Sequence, residues 1–153
     1  MNFIKRFGKA DDGGAMVELA IVASLLIPIL FGVVDLGRMY YEGIEVANAA
    51  HAGAEYGSLY PSDTTGITAA ATQSAPDLTT LVIGTPTWGC ECSDGSLYSA
   101  SCAVTPSCPA SVGSNVVHRV KVTASAQFNW ILPVPGVSSS SITLSNTATV
   151  RGN

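Results

Sequence analysis

The pattern of apolar and polar positions divides the chain into two parts. Residues 19–34 contain no charge, and with residues 15–18 they form a run of about 20 residues, roughly 30 Å as a helix. Residues 36–54 then place apolar side chains at helical spacing between glutamates. In residues 116–130 and 142–151 apolar and polar side chains alternate, as in strands with one buried face. The pattern predicts an α+β fold in which a long N-terminal helix packs its outer half on a small antiparallel sheet.

The first apolar run is interpreted as a retained membrane helix. Lys5, Arg6 and Lys9 precede it, so the positive-inside rule places the N-terminus in the cytoplasm and the C-terminal part outside. A cleavable signal sequence has the same order of charges, but this run is long, contains Glu18 and lacks a small-x-small site directly after it. A buried helix of a soluble protein is disfavoured because so short a chain would hardly cover it.

The exported part of the helix is predicted to continue to about Tyr56, with Gly57 as the first residue after its end. Pro28 predicts a kink within the membrane, because proline removes a backbone donor and clashes with the preceding turn. The chain then divides into a basic leader (residues 1–13), the membrane helix (14–35), its exported continuation (36–57) and a small α+β domain (58–153).

Three further segments are predicted in the domain: a short helix over residues 66–74, a strand over 78–87 and a turn over 133–136. On the exported helix, small residues recur at four-residue spacing at Ala49, Gly53 and Gly57. Small residues let another backbone approach closely. The domain's own sheet is favoured as the surface that approaches them, over another subunit.

Charge is scarce and unevenly placed. Only 12% of the residues are charged, where an ordinary soluble domain has about a quarter, and the apolar run accounts for much of the deficit. The net charge is −4, and after residue 34 acidic residues outnumber basic ones. Because no basic stripe is present there to neutralise phosphates, nucleic acid is not expected as a partner.

The sequence contains no recognisable catalytic constellation. It lacks Gly-x-Ser-x-Gly, a phosphate-binding glycine-rich loop and a metal-binding His/Glu motif. His118, Phe128 and Trp130 fall on the apolar face of the predicted strand and are interpreted as core side chains rather than catalytic or adhesive ones. We therefore expect a protein that is not an enzyme, with no catalytic residue, cofactor or metal.

The four cysteines, Cys90, Cys92, Cys102 and Cys108, lie in one loop-like stretch at residues 88–109. Their even number, clustering and exported position favour two disulfides that staple this loop. A bond between the first two would close an unusually small ring, so each is expected to pair with one of the last two. A zinc site is the alternative, but the ligand spacing does not match the usual pattern.

Residues 13–19 (GGAMVEL) follow the basic leader and open the apolar helix. They resemble the processing site of type IV pilin-like proteins, in which a prepilin peptidase cuts after a glycine and a glutamate stands fifth in the mature chain. Cutting between Gly13 and Gly14 places Glu18 at that position. The resemblance implies that Glu18 pairs with the new N-terminal amine of a neighbouring subunit and so fixes subunit register.

Two further segments make the resemblance closer. Residues 31–38 (FGVVDLGR) and the alanine-rich residues 46–57, together with residues 15–20 (AMVELA), resemble the TadE-like family of minor pilin-like proteins from tight-adherence pili. Leu19 departs from the tyrosine or phenylalanine usual there. The resemblance implies a role in pilus assembly and surface adhesion. The implied partners are the prepilin peptidase, the assembly platform in the inner membrane, other major and minor pilins, and the lipid bilayer.

Two other functions fit the sequence. One is a membrane-tethered binding module whose disulfide loop recognises a ligand and which never enters a filament; retention of the leader would favour it. The other is a secreted protein released by a signal peptidase, whose mature N-terminus would lie beyond about residue 35.

Overall fold

The computed structural model describes residues 11–100, 102, 106–109, 115–131 and 140–152 of the 153-residue chain. The leader cations Lys5, Arg6 and Lys9 and the predicted turn at residues 133–136 lie outside these ranges. The elements, in chain order, are α1 (Asp11–Leu59), α2 (Thr64–Gln73), β1 (Val82–Ile83), β2 (Thr87–Cys92), β3 (Val116–Asn129) and β4 (Ser141–Gly152).

Helix α1 is 49 residues long, or roughly 73 Å at the helical rise per residue. It continues through Pro28, and one turn earlier the Ser24 hydroxyl donates a hydrogen bond to the Ile21 carbonyl at 2.7 Å. The helix ends at Leu59, so the prediction that Gly57 follows its end was wrong. Gly57 lies inside the helix. A glycine is required at this position for close packing, and not for a left-handed backbone.

The sheet is built around β3, and its strand pairs are all antiparallel. Strand β4 runs along one edge of β3, from the His118–Gly152 pair to the Asn129–Ser141 pair. Strands β2 and β1 pair with successive parts of the opposite edge. The two alternating segments of the sequence are thus neighbouring strands, and the predicted α+β arrangement of a long helix on a small antiparallel sheet is confirmed.

Two local predictions need correction. Residues 78–87 were expected to form one strand, but strand structure there is limited to Val82–Ile83 and to Thr87, the first residue of β2. Backbone hydrogen bonds at Leu78 and Leu81 form turns before Val82. Pro86 separates this short strand from β2, since proline cannot donate to a ladder. Conversely, the first part of the predicted cysteine loop at residues 88–109 is not a loop. It belongs to strand β2, which pairs with β3 over its whole length.

Helix α2 matches the predicted short helix within two residues at each end. Its N-cap is Asp63, whose carboxylate accepts the Gly66 N–H at 2.9 Å and the Tyr56 hydroxyl at 2.9 Å. The backbone N–H of Gly66, followed by the Tyr56 hydroxyl, holds the pKa of Asp63 below its usual range. The cap thereby ties α2 to the last turns of α1.

The core lies between the outer half of α1, α2 and the inner face of β3 and β4. The buried apolar cluster there consists of small and medium side chains: Val46, Ala49, Ala50, Ala54, Ile67, Ala75, Val120, Val122, Ala124, Ala126 and Ala148. A Cβ added at Gly53 would lie 3.1 Å from the Ala71 Cβ and 3.2 Å from Val122 Cγ1. The stripe of small residues on α1 therefore packs against the chain's own sheet and α2, as the sequence favoured.

We predict that Gly57→Ala destabilises the C-terminal domain, whereas Gly43→Ala does not. At Gly57 the new Cβ would lie 2.6 Å from Cγ1 of Val120, a stiff β-branched side chain, so overpacking should cost about 1–2 kcal/mol net of the better helix propensity. A Cβ added at Gly43 would meet no other atom of the described part of the chain within 4 Å, so alanine should stabilise the helix by roughly 0.5–1 kcal/mol. Denaturant unfolding in detergent micelles, followed by near-ultraviolet circular dichroism, measures both. Equal effects of the two substitutions would contradict the packing argument.

Candidate functional site

The N-terminal half of α1 presents an uncovered apolar surface. Its large apolar side chains from Met16 to Val34 are all at least two-fifths exposed, between 42% and 75%. The helix is long and apolar enough to cross a membrane, and no residue of its most apolar stretch is buried by the described parts of the chain. Burying so much apolar surface is favourable, so a bilayer or a set of neighbouring helices is the environment that suits it.

The sequence-predicted processing residues lie at the start of this surface. Side chains added at Gly13 or Gly14 would meet no atom of the described residues within 4 Å, and Glu18 is exposed one helical turn further on. Gly14 and Glu18 are four residues apart, so they share a helix face. Among the described residues Glu18 has no ion-pair partner. A partner for its carboxylate in an apolar environment must therefore come from another molecule or from beyond the described segment.

The end of the apolar run carries a site to which the sequence analysis assigned no role, although its helix residues lie in the segment 31–38 that supports the resemblance. Asp35 is only 3% exposed, and its carboxylate accepts the Ile131 backbone N–H, with N–O distances of 3.0 and 3.2 Å. Arg38 donates to the same carboxylate at 3.2 Å. Asp35 therefore joins the helix to the chain immediately after β3. An acidic residue ending an apolar run, one turn before an arginine, is the signal that would have identified it.

Arg38 extends this contact along the helix and across to the sheet. Its guanidinium lies 5.3 Å from the centroid of the Phe128 ring and 3.7 Å from the Glu42 carboxylate. Phe128 is fully buried and meets Trp130 edge-to-face, with ring centroids 5.1 Å apart. These contacts place the C-terminal end of β3 beside the predicted membrane boundary. Phe128 is a core side chain, as expected, and Trp130, directly after β3, is half-buried against it.

The cysteines form two pairs in disulfide geometry, Cys90–Cys102 and Cys92–Cys108, with Cα atoms 5.2 and 5.5 Å apart. Both pairings are of the kind that the sequence favoured. The Nδ1 atom of half-buried His118 lies 3.6 and 3.5 Å from the sulfurs of Cys90 and Cys102. Among the described residues, the ligand atoms of these three lie close enough together to hold a metal ion such as zinc. Zinc binds cysteine as a thiolate, however, and the sulfurs of a disulfide are not thiolates.

A second buried carboxylate lies next to the disulfides. Glu91 is fully buried on β2, where it accepts from Arg119 Nη1 at 3.3 Å and from Arg151 Nε at 2.5 Å. Arg119 and Arg151 face each other across the β3–β4 pair. Nearby, the Ser96 hydroxyl and backbone N–H, with a smaller contribution from Arg151, lower the pKa of Asp94. Sequence reasoning missed this cluster because its members come from three separate strands and a loop.

One comparison with known proteins finds a match. Residues 13–55 match the model of a family described as TadE-like protein. This segment is the one on which the resemblance was recognised, so the resemblance is confirmed there. It spans the uncovered apolar surface, Glu18 and Asp35. No curated protein and no solved structure matches the chain.

Proposed function

We propose that this chain is a minor pilin-like component of a tight-adherence, type IV-like pilus, which acts by assembly rather than catalysis. The observation that carries the proposal is an uncovered apolar helix within the segment that matches the TadE-like model. Its first turns hold an exposed glutamate that has no ion-pair partner among the described residues. Such a helix is suited to lie first in a bilayer and then among the helices of other subunits.

The proposed topology has the N-terminus in the cytoplasm and the domain exported from the inner membrane. The basic residues before the apolar run support this orientation. The two cysteine pairs agree with it, because disulfides persist in an oxidising exported compartment. The domain is packed against the outer half of α1, so the helix and domain would move together from the membrane to the cell surface or the filament.

Glu18 is the proposed determinant of subunit register. If a prepilin peptidase cuts between Gly13 and Gly14, the new amine starts four residues before the Glu18 carboxylate. A neighbouring subunit's amine then offers the positive partner that this carboxylate lacks among the described residues, which would offset the cost of burying either charge alone. The further partners proposed are the inner-membrane assembly platform and the other pilins.

The test is the N-terminal residue of the mature protein, determined by mass spectrometry on membrane and sheared-surface fractions. We expect a chain that begins at Gly14 and reverts to the full leader when the prepilin peptidase is deleted. Gly13→Leu is expected to block the cut, because in the pilin-like proteins that this segment resembles the cut follows a glycine, while Gly43→Ala on the same helix should leave it unchanged.

Other N-termini would point to other functions. An intact leader in wild-type cells would contradict processing and favour a membrane-tethered binding module that does not enter a filament. A mature chain that starts beyond Asp35 would indicate release by a signal peptidase and would contradict both membrane-bound functions.

A further inference from the structure

The few cations of the exported domain are gathered at one place. Beyond Arg38 the sequence contains only three, Arg119, Lys121 and Arg151, in a chain whose net charge is −4. Strand alternation places Arg119 and Lys121 on the face of β3 that points away from α1, and Arg151 lies directly opposite Arg119 on β4. An acidic protein thus carries a local positive surface on the outer face of its sheet.

The charges of this surface are only partly neutralised by the chain itself. Glu91 is shared by both arginines, and Asp94 lies on the Arg151 side. Lys121 makes no ion pair with any described residue and is exposed. The positive charge left over is therefore concentrated at the Lys121 end.

A groove of about 540 Å³ opens at the same end, lined by residues that include Thr87, Tyr98, Arg119 and Lys121. Its volume lies within the roughly 300–1,000 Å³ of ordinary small-ligand sites. Tyr98 forms one wall: its ring crosses Gly89, where an added Cβ would come within 2.8 Å of the ring, and Arg119 lies 5.3 Å from the ring centroid. The glycine and the arginine together hold an exposed aromatic ring in place.

The groove is at the end of the domain far from the membrane. Gly57, near the end of α1, packs against Val120, whereas Asp35 at the predicted membrane boundary holds Ile131. Those two contacts are separated by 22 helical residues, or roughly 33 Å. Lipid headgroups are therefore out of reach, and because the groove faces away from α1 it stays open when the helix is packed among others.

We propose that this groove binds an acidic glycan, a chain of sugars that carry carboxylate groups. Lys121 and Arg119 would pair with the carboxylates, the exposed hydroxyl of Thr87 would bond a sugar hydroxyl, and the flat Tyr98 ring would pack on a sugar ring. Three clustered cations are too few for a nucleic-acid track. A walled groove with an aromatic ring and hydroxyls fits a sugar better than the broad flat surface typical of protein partners.

The test is binding of oligogalacturonate to the full chain in detergent micelles, measured by calorimetry. Lys121→Gln is expected to weaken binding at least about tenfold, equivalent to about 1.4 kcal/mol, and Lys121→Arg to retain it. Thr87→Trp should block the groove without changing its charge. Adding Ser145→Lys to Lys121→Gln restores the net charge on the outer sheet face but should not restore binding. Circular dichroism confirms that each variant is folded.

The proposal is overturned if wild-type protein does not bind, if Lys121→Gln binds as well as wild type, or if neutral malto-oligosaccharide binds equally. Equal binding of poly-glutamate would also overturn it, in favour of an acidic protein partner. A role of this binding in adhesion rests on the proposed pilus function, whereas the calorimetric titration tests glycan binding alone. If a chain that keeps its leader still binds the glycan, the proposed pilus function is contradicted and the proposed glycan-binding site is not.

Discussion

Replacing Asp35 with alanine is expected to lower the free energy of unfolding of the C-terminal domain by about 2–4 kcal/mol. The carboxylate is almost fully buried and accepts the Ile131 N–H and an Arg38 N–H. Alanine would leave the backbone donor without its partner and would remove the only described side chain that bonds Ile131 to α1. The cost is large because hydrogen bonds to charged acceptors are stronger than neutral ones.

The matched control is the other carboxylate that pairs with Arg38. Glu42→Gln removes a longer contact of 3.7 Å to a guanidinium whose side chain is 42% exposed, so its effect should stay within about 0.5 kcal/mol. Denaturant unfolding in micelles measures the free energies, and amide hydrogen exchange at Ile131 reports the local contact. The argument fails if Asp35→Ala leaves Ile131 protected, or if the two substitutions cost the same.

Removing both disulfides is the second change with a large expected effect. Each bridge closes a loop, with sequence separations of 12 and 16, and typically contributes about 2–4 kcal/mol, chiefly by restricting the unfolded chain. Replacing all four cysteines with serine should therefore strongly destabilise the strand β2 edge. The backbone bonds between Cys90 and Ser99, at 2.9 and 2.7 Å, should lose their protection from hydrogen exchange first.

Reduction of the wild-type protein provides the control for this prediction. A reductant should reproduce the effect of the four serines, and the serine variant itself should not respond to it. The long β3–β4 pair and its contact with α1 lie mostly outside the bridged segment, so their exchange should change less. A loss below about 1 kcal/mol on removing both bridges would show that the strand pairing alone holds this region.

The sequence was sufficient to predict an element where a short repeating pattern of apolar and polar residues indicates which side chains are buried. Strand β3 begins at the predicted residue and β4 within one residue, because apolar and polar side chains alternate along both. The long apolar helix and the stripe of small residues on the later part of α1 were also predicted from such spacing. The prediction of one strand over residues 78–87 was wrong because the first part of this segment forms turns. Strand β2 was missed because two cysteines and a glycine obscure the alternation of its apolar and polar side chains.

Only the tertiary structure decided how distant residues meet. Asp35 and Ile131 are 96 positions apart, and Glu91 and Arg151 are 60 apart, and no local period connects them. Both carboxylates owe their burial to the register of β3 with its neighbours and to the way the sheet lies on α1. Gly57 shows the same division. Its place on a stripe of small residues can be read from the local sequence, but its contact with Val120 is seen only in the tertiary structure. The sequence by itself determined which faces must be buried, since hydrophobic periodicity is local, and packing determined which charges those faces bring together.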